Sequence, residues 1–286
     1  FIEFIQQKLF APLPEMARVS LEPQGKIHLN PDQENVLNTA VAAIDAGKFH
    51  TMLLHGVTGS GKTEIYIRCI ERLVAAGRSA LVMVPEISLT PQTLHRFLQR
   101  FERVAVMHSG LTPGHRHQQW RLIADGQADV VIGARSAVFA PLPNLGMIVV
   151  DEEHEPSYKQ DTAPRYHGRD VAIKRAQMLN IPILLGSATP SLEMWRNASG
   201  RDNYQRLNLP RRVLDLPLPP VRVVDMRKEP VHDRKNTPVI SRLLAGEMDA
   251  ALETGRQVIL LLNRRGHSSY IFCPSCDFVL TLSLIH

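Results

Sequence analysis

The chain has 286 residues, of which 44% are hydrophobic and 21% are charged, and its formal net charge is +5. This composition is typical of a globular protein and excludes a disordered chain, a collagen-like fibre and a disulfide-stapled miniprotein. Three cysteines cannot form a disulfide framework, and no apolar run approaches the ~20 residues that span a bilayer. We therefore expect a cytoplasmic protein with no membrane partner, whose mildly basic charge suits a polyanionic partner without requiring one.

The elements, taken in chain order, predict a doubly wound α/β domain. Residues 1–28 carry scattered prolines and are predicted to be an N-terminal tail or linker. Over residues 29–208, short β-rich runs alternate with helical stretches, which indicates a parallel sheet covered by helices on both faces. The predicted strands are Thr51–Leu54, Ala80–Val84, Val104–Met107, Val130–Ile132, Met147–Val150 and Ile183–Leu185.

Four Thr-Pro pairs are predicted to begin helices, because threonine is a good N-cap and proline is favoured at the first helical position. The pairs begin at Thr90, Thr112, Thr189 and Thr237. The proline-rich segment 209–221 is predicted to be a linker. Residues 222–286 are predicted to open a second α/β unit, with a strand at Arg222–Asp225, a helix ending at Glu253 and a strand at Gln257–Leu262.

A phosphate-binding loop follows the first predicted strand and precedes a predicted helix, Glu64–Ala76. It fits the pattern G-x-x-x-x-G-K-[ST], and its backbone N–H groups and the helix dipole are expected to bind the phosphates of ATP. Lys62 is expected to reach the β- and γ-phosphates, and Thr63 to offer its hydroxyl to Mg²⁺. The residues of the loop are Gly56, Val57, Thr58, Gly59, Ser60, Gly61, Lys62 and Thr63.

Acidic residues follow the buried strand Met147–Val150, at the strand end where α/β proteins bind their ligands. Asp151 is predicted to hold Mg²⁺ through its water shell, and Glu152 to polarise the attacking water as general base. A charged turn after a strand is the alternative for these acids alone. Their combination with the phosphate loop favours a nucleotide hydrolysis site.

Two weaker signals accompany these motifs. Gln33, near a predicted helix start, has an amide that can bond both edges of adenine, although a solvent-exposed glutamine is the alternative. Ser187 and Thr189 follow the strand Ile183–Leu185, and their hydroxyls can bond the acids of the neighbouring strand. A plain helix cap is the alternative for Thr189.

In this order the motifs resemble those of superfamily-2 helicases. The strings GVTGSGKT, VPEISLTPQ, IGARSA, DEEH and LNRRG further resemble the replication-restart helicases of the primosomal protein N′ family, over about residues 29–276. The resemblance implies a RecA-like ATP-binding lobe, the start of a second such lobe, and ATP-driven 3′→5′ unwinding of DNA in replication restart and primosome assembly at stalled forks. It also implies DNA forks, single-stranded DNA, primosome proteins and single-stranded-DNA-binding protein as partners.

The resemblance assigns roles to further residues. His154, Ser187 and Thr189 are expected to relay the state of the nucleotide to an aromatic-rich loop that follows the acidic box. That loop, with two aromatics and several cations, suits stacking on bases of any sequence. For Arg135, an ion pair inside the lobe is an equal alternative to DNA. The residues expected to contact DNA are Arg135, Tyr158, Lys159, Arg165 and Tyr166.

Cys273 and Cys276 supply half of a tetrahedral Zn²⁺ site, and the resemblance implies a cysteine-rich zinc module at this place. Because the chain begins without a methionine and ends at His286 before a second cysteine pair, we expect it to be a fragment with an incomplete zinc module. Two further readings stay open: a module that binds nucleotide and DNA without turnover, and another superfamily-2 motor such as an RNA helicase or restriction translocase.

Overall fold

The computed structural model describes residues 28–213, 220–228, 240–261, 270–272 and 279–281. The chain divides into two compact units, Phe1–Pro217 and Leu218–His286. The first unit holds a seven-stranded sheet, and the described part of the second unit is small.

All neighbouring strands of the seven-stranded sheet are parallel, in the spatial order β3-β4-β2-β5-β6-β1-β7, so the predicted doubly wound α/β fold is confirmed. Its strands are β1 (Thr51–Gly56), β2 (Ser79–Met83), β3 (Val104–Met107), β4 (Val130–Gly133), β5 (Leu145–Val150), β6 (Ile183–Ser187) and β7 (Tyr204–Leu209). Its helices are α1 (Pro31–Ala46), α2 (Lys62–Ala75), α3 (Pro91–Leu98), α4 (Pro113–Ala124), α5 (Gly168–Leu179) and α6 (Leu192–Gly200). Strand β7 was not predicted, because only alternate residues at its end are buried.

Helices cover both faces of the sheet, which is why the central strands are buried along their whole length. Every residue of β2, β4, β5 and β6 is buried. One face packs against Val36 of α1, Ile65 of α2 and Phe97 of α3. The other packs against Ile123 of α4 and Ala172 of α5, with α6 alongside. Burial on both faces removes the period-2 alternation that half-buried strands show.

The register of the sheet brings three strand ends together. His55 of β1 pairs with Ser187 of β6, and Val150 of β5 pairs with Leu185 of the same strand. The carboxyl ends of β1, β5 and β6 therefore lie side by side, at the edge where parallel α/β sheets bind ligands.

The Thr-Pro predictions hold at two of the four positions. The hydroxyls of Thr90 and Thr112 accept hydrogen bonds from backbone N–H groups at the starts of α3 and α4. At Thr189 the prediction is wrong, because α6 begins at Leu192 and Ser191 provides the cap. Thr237 lies outside the described residues.

The second unit contains helix α7 (Arg242–Glu253) and an antiparallel pair, β8 (Tyr270–Phe272) and β9 (Val279–Thr281). Ser241 caps α7. The predicted strand at Arg222–Asp225 is wrong, since these residues have no regular structure, and neither do residues 257–261 of the predicted strand that follows the helix. The described residues of this unit thus do not form a second RecA-like sheet.

Where the structure is described, no helix combines the length and the apolarity that crossing a bilayer requires.

Candidate nucleotide-binding and catalytic site

The phosphate loop connects β1 to α2 and is shaped by glycines. Gly59 and Gly61 have φ angles of 80° and 87°, in the left-handed region that other residues rarely adopt. A Cβ atom on Gly61 would also overlap the side-chain amide of Gln33. The loop is therefore closed by backbone geometry that alanine does not reproduce.

Lys62 is the first residue of α2 and is only 9% exposed. Its ammonium donates a hydrogen bond of 2.9 Å to the carbonyl of Gly56. Helix α2 begins without a side-chain cap, so its N-terminal N–H groups and dipole are directed at the loop. The lysine and the helix terminus together favour an anion at this position.

The Gln33 side chain is hydrogen-bonded to the phosphate loop. Its side-chain carbonyl accepts from the N–H of Asn30 at 2.9 Å, and its amide donates to the carbonyl of Ser60 at 2.9 Å. At 3% exposed it is not the solvent-exposed residue of the alternative reading. One acceptor position of its carbonyl is engaged in a capping box at the start of α1, and the remaining lone pair and N–H are those that the predicted two-point contact with adenine would use. The contact with adenine stays a prediction.

The acidic box follows β5 with Asp151 held from two sides. The Tyr66 hydroxyl donates to Asp151 Oδ1 at 2.9 Å, and the Tyr158 hydroxyl donates to the Asp151 main-chain carbonyl at 2.7 Å. Desolvation and the nearby Glu152 charge raise the pKa of the Asp151 carboxyl, against the opposing effects of Tyr66 and Lys62. Glu152 has a φ of 45°, a costly conformation that is common at active sites.

Glu153, the third residue of the box, is fully buried in an ion pair. Its carboxylate accepts from Arg169 Nη1 at 2.8 Å, from the backbone N–H of Ser191 at 2.7 Å and from the Ser191 hydroxyl at 3.0 Å. Burial lowers the pKa of the Arg169 guanidinium, but its bonds to Glu153 and Asp170 prevail and raise it above the ordinary value. The box is thereby attached to the first turn of α5 and to the cap of α6.

The structure brings together the three residues predicted to relay the nucleotide state. His154 Nδ1 lies 2.8 Å from the Ser187 hydroxyl, and His154 Nε2 lies 3.3 Å from the Thr189 hydroxyl. The Ser187 hydroxyl also accepts from the N–H of Thr189 at 3.0 Å. The end of β6 is thus in direct contact with the acidic box. Within the box, His154 Nδ1 lies 3.7 Å from Glu152 Oε2. The relay role itself stays a prediction.

A cleft of about 1070 Å³ joins the phosphate loop to the acids. Gly56 and Val57, predicted to bind nucleotide, do not line it: their carbonyls accept from Lys62 and from the N–H of Ser60 within the loop. The predicted residues that do line it are Gln33, Thr58, Gly59, Ser60, Gly61, Lys62, Thr63, Asp151 and Glu152. A threonine hydroxyl and two carboxylates are the oxygen ligands that Mg²⁺ prefers, so the residues present fit this ion.

The structure shows that one of the predicted DNA contacts after the acidic box, Tyr158, is wrong. Tyr158 is 1% exposed and packs in the core, so its ring cannot stack on a base. Arg135 forms no ion pair with a described residue; its guanidinium donates to the carbonyls of Ser157 and Lys159, at 3.1 and 2.5 Å. Arg135, which is half-buried, therefore anchors this loop, and its contact with DNA stays a prediction.

An aromatic and cationic surface is formed by this loop together with Phe139, which lies on a neighbouring 3₁₀ helix. Tyr166 is half-buried and meets Phe139 edge-to-face, with ring centroids 5.2 Å apart, and the Phe139 side chain is 51% exposed. Lys159 and Arg165 are exposed beside it. We call Phe139, Lys159, Arg165 and Tyr166 the loop surface.

Sequence reasoning missed several residues of the site. Tyr66 lies four residues after Lys62, and this spacing on a helix places both on one face, which was an available signal. Glu153 and Arg169 are 16 residues apart, and no local pattern predicted their pairing. Phe139 lies on a short 3₁₀ helix and reaches Tyr166 only through the tertiary fold.

No cluster of His, Cys, Asp and Glu suited to a metal occurs within the described ranges. The predicted zinc ligands Cys273 and Cys276 lie outside those ranges. Cys69 is buried, as expected for a packing residue, and burial raises its thiol pKa to about 12.

Comparison with known proteins places the chain in a family. It is 47% identical over 252 residues to the Replication restart protein PriA of Bacillus subtilis, a match that covers 88% of this chain and 31% of the relative. It is 43% identical over 290 residues to the protein of the same name from Synechocystis, covering 98% of this chain and 34% of the relative. The chain thus spans about a third of the length of the curated relatives it matches.

Among solved structures, RecG bound to a three-way DNA junction superposes with a TM-score of 0.49 at 21% identity, over 73% of this chain and 25% of that one. The match to a protein family is more direct, because it covers the phosphate loop, the acidic box and the residues after β6. Residues 30–196 match the DEAD/DEAH box helicase family, and the chain belongs to that family.

Proposed function

We propose that this chain is the ATP-binding part of an ATP-dependent 3′→5′ DNA helicase that acts in replication restart and primosome assembly at stalled forks. The observation that carries the proposal is the convergence of Lys62, Thr63, Asp151 and Glu152 on one cleft at the carboxyl edge of the sheet. Its similarity to proteins named Replication restart protein PriA supports the biological setting. In this proposal residues 29–208 form the first motor lobe, 209–221 a linker and 222–286 part of a second lobe.

The chemistry assigned to the cleft is attack of water on the γ-phosphate of ATP, which breaks the bond from the γ-phosphorus to the bridging oxygen and releases ADP and phosphate. Lys62 exchanges its bond to Gly56 for phosphate oxygens, and the N-terminus of α2 adds its dipole to the attraction. Thr63 would hold Mg²⁺ through its hydroxyl and Asp151 through the water shell of the ion, and the bound ion would offset the negative charge of the phosphates. Glu152 orients the water and accepts its proton.

The coupling to DNA is assigned to two groups. The contacts among His154, Ser187 and Thr189 would transmit the nucleotide state from the acidic box to the end of β6. The loop surface would contact single-stranded DNA through stacked bases and phosphate contacts. Arg135 would hold the loop in place, with its remaining N–H groups as proposed donors to DNA. Primosome proteins and single-stranded-DNA-binding protein are proposed partners, and Cys273 and Cys276 are proposed zinc ligands.

A second function, nucleotide and DNA binding without turnover, is favoured for the 286-residue chain by itself, because the chain spans about a third of its relatives. Motors of this class complete their hydrolysis site with arginines from another lobe or partner. We expect the chain to bind ATP with Mg²⁺ but to release little phosphate, and turnover to appear when the rest of the protein is present.

The proposal is tested by binding of a fluorescent ATP analogue to the chain, followed by phosphate release with single-stranded DNA or RNA. We expect Mg²⁺-dependent binding that Lys62→Ala abolishes, with Lys48→Ala, away from the cleft, as the matched control. Full-length protein should hydrolyse ATP more strongly with DNA than with RNA and unwind forked DNA. Absence of Mg²⁺-dependent ATP binding, or a preference for RNA, contradicts the proposal.

The loop surface is tested separately. Phe139→Ala and Tyr166→Ala should each weaken binding of single-stranded DNA by about tenfold, as expected for loss of one stacked base. Trp195→Ala removes a ring of 38% exposure from α6, outside the loop, and should leave DNA affinity unchanged. Equal losses in all three variants would show that the loop surface is not the DNA contact.

A further inference from the structure

Tyr66 is a buried polar side chain in the site to which the hydrolysis mechanism gives no role. It lies on α2, one turn after Lys62, and is 1% exposed. Its hydroxyl donates a hydrogen bond of 2.9 Å to one oxygen of the Asp151 carboxylate.

We propose that Tyr66 is a positioning residue that sets the orientation of the Asp151 carboxylate for Mg²⁺, and that Gly186 provides the space that this contact requires. The inference rests on the proposed function and adds to it a residue that the metal does not touch. A carboxylate with one oxygen held by a donor cannot rotate freely, while its second oxygen remains for the cleft that Asp151 lines.

The main chain of Asp151 is held independently. Tyr158 donates to the Asp151 carbonyl, and the N–H of Asp151 donates to the carbonyl of Met83 at 2.8 Å. These two bonds place the backbone of the residue at the end of β5 but leave the side-chain torsion undetermined. Two described groups donate hydrogen bonds to the carboxylate itself, the Tyr66 hydroxyl and the backbone N–H of Glu152. Tyr66 is the side-chain donor of the two, so its effect is separable from that of Tyr158, which bonds the main chain.

Gly186, on the adjacent strand β6, shows that this contact constrains a second element. A Cβ atom there would overlap the Tyr66 hydroxyl, and would lie 2.8 Å from Tyr66 Cζ and 3.3 Å from Asp151 Oδ1. Any larger residue would displace either the tyrosine or the carboxylate. The glycine immediately before Ser187 thus leaves room for the contact between Tyr66 and Asp151.

The test uses the wild-type chain and Tyr66→Phe, which keeps the ring and removes the hydroxyl. We expect Tyr66→Phe to raise the Mg²⁺ concentration that half-saturates binding of a fluorescent ATP analogue by about tenfold, the effect of one hydrogen bond to a charged group. Binding of the analogue in EDTA should be unchanged, because the phosphate loop is intact. Tyr158→Phe is the matched control: it also removes one buried hydroxyl bonded to Asp151, and should lower thermal stability without moving the Mg²⁺ midpoint.

Gly186→Ala provides a second, independent variant. It should shift the Mg²⁺ midpoint in the same direction as Tyr66→Phe, and the double variant should shift it by less than the product of the two single effects, because both act on one contact. An unchanged midpoint in Tyr66→Phe, or equal shifts in Tyr66→Phe and Tyr158→Phe, overturns the inference. If the wild-type chain itself shows no Mg²⁺-dependent binding, it is the proposed function that fails.

Discussion

The buried ion pair between Glu153 and Arg169 makes a quantitative prediction about the stability of the first unit. Glu153 is fully buried and the Arg169 side chain is 10% exposed. Among the described residues, replacing Glu153 by alanine leaves the guanidinium with only the exposed Asp170 as an acidic partner, at 3.0 Å. The change also removes the acceptor of the Ser191 N–H. Breaking a buried pair by removing one partner typically costs about 3–5 kcal/mol.

That cost converts to a measurable change in melting temperature. For a unit of this size, each kcal/mol lowers Tm by about 2–4 °C, so Glu153→Ala should lower Tm by about 6–20 °C. Thermal unfolding followed by circular dichroism, at one protein concentration and without nucleotide, measures the effect. The matched control is Asp45→Ala, which removes an ion pair with Arg72 whose side chains are 58% and 48% exposed. Exposed pairs contribute about 0–1 kcal/mol, so this control should lower Tm by a few degrees at most.

The reasoning is refuted if Glu153→Ala lowers Tm no further than Asp45→Ala. A further check is the double variant Glu153→Ala with Arg169→Ala, in which the stranded cation is removed. It should be less destabilised than the sum of the two single variants, because the residues share one interaction. If the losses of the two single variants add fully in the double variant, the pair does not couple the acidic box to α5, despite its 2.8 Å contact.

Three further predictions concern the same unit. Gly61→Ala should destabilise the fold by about 1–2 kcal/mol more than Gly47→Ala, as measured by urea unfolding. Both glycines have positive φ, but only at Gly61 would the added Cβ overlap another side chain, that of Gln33. Equal losses of stability would contradict the steric argument. Because burial raises the pKa of the Cys69 thiol to about 12, Cys69 should remain unlabelled by iodoacetamide at pH 8 in the native state. Mass spectrometry of the peptide that contains Cys69 measures the labelling. Labelling at the rate of the denatured chain would contradict this prediction. Thr90→Ala should cost about 1 kcal/mol through loss of the α3 cap, and an unchanged unfolding midpoint would show that this cap contributes nothing.

Local signals were sufficient for much of the fold. The buried parallel strands were recognised because burial on both faces leaves continuous apolar runs, and β3 matches its predicted bounds. Thr90 and Thr112 were recognised as caps because a cap depends on only three or four neighbouring residues. The same rule failed at Thr189, where Ser191 is the better cap because its N–H and hydroxyl also bond Glu153, a partner distant in sequence.

The candidate site also contains residues that local sequence predicts and residues whose roles depend on the tertiary fold. The phosphate loop and Asp151, Glu152 and His154 were predictable, since each motif is a contiguous string at the end of an apolar strand. The roles of single aromatic residues were not. Tyr158 and Tyr166 read alike in the sequence, yet the fold buries the first beneath Asp151 and leaves the second half-exposed beside Phe139.

The amino-acid sequence alone was enough to predict the doubly wound sheet and the chemistry proposed for it, with a loop for phosphates and carboxylates for a divalent cation. The contacts that hold the residues of this proposed site became visible only in the tertiary structure. The contacts Tyr66–Asp151 and Glu153–Arg169 join residues 85 and 16 positions apart. The physical reason is that backbone preferences and caps act over a few residues, whereas a buried hydroxyl or charge must find its partner wherever packing brings one.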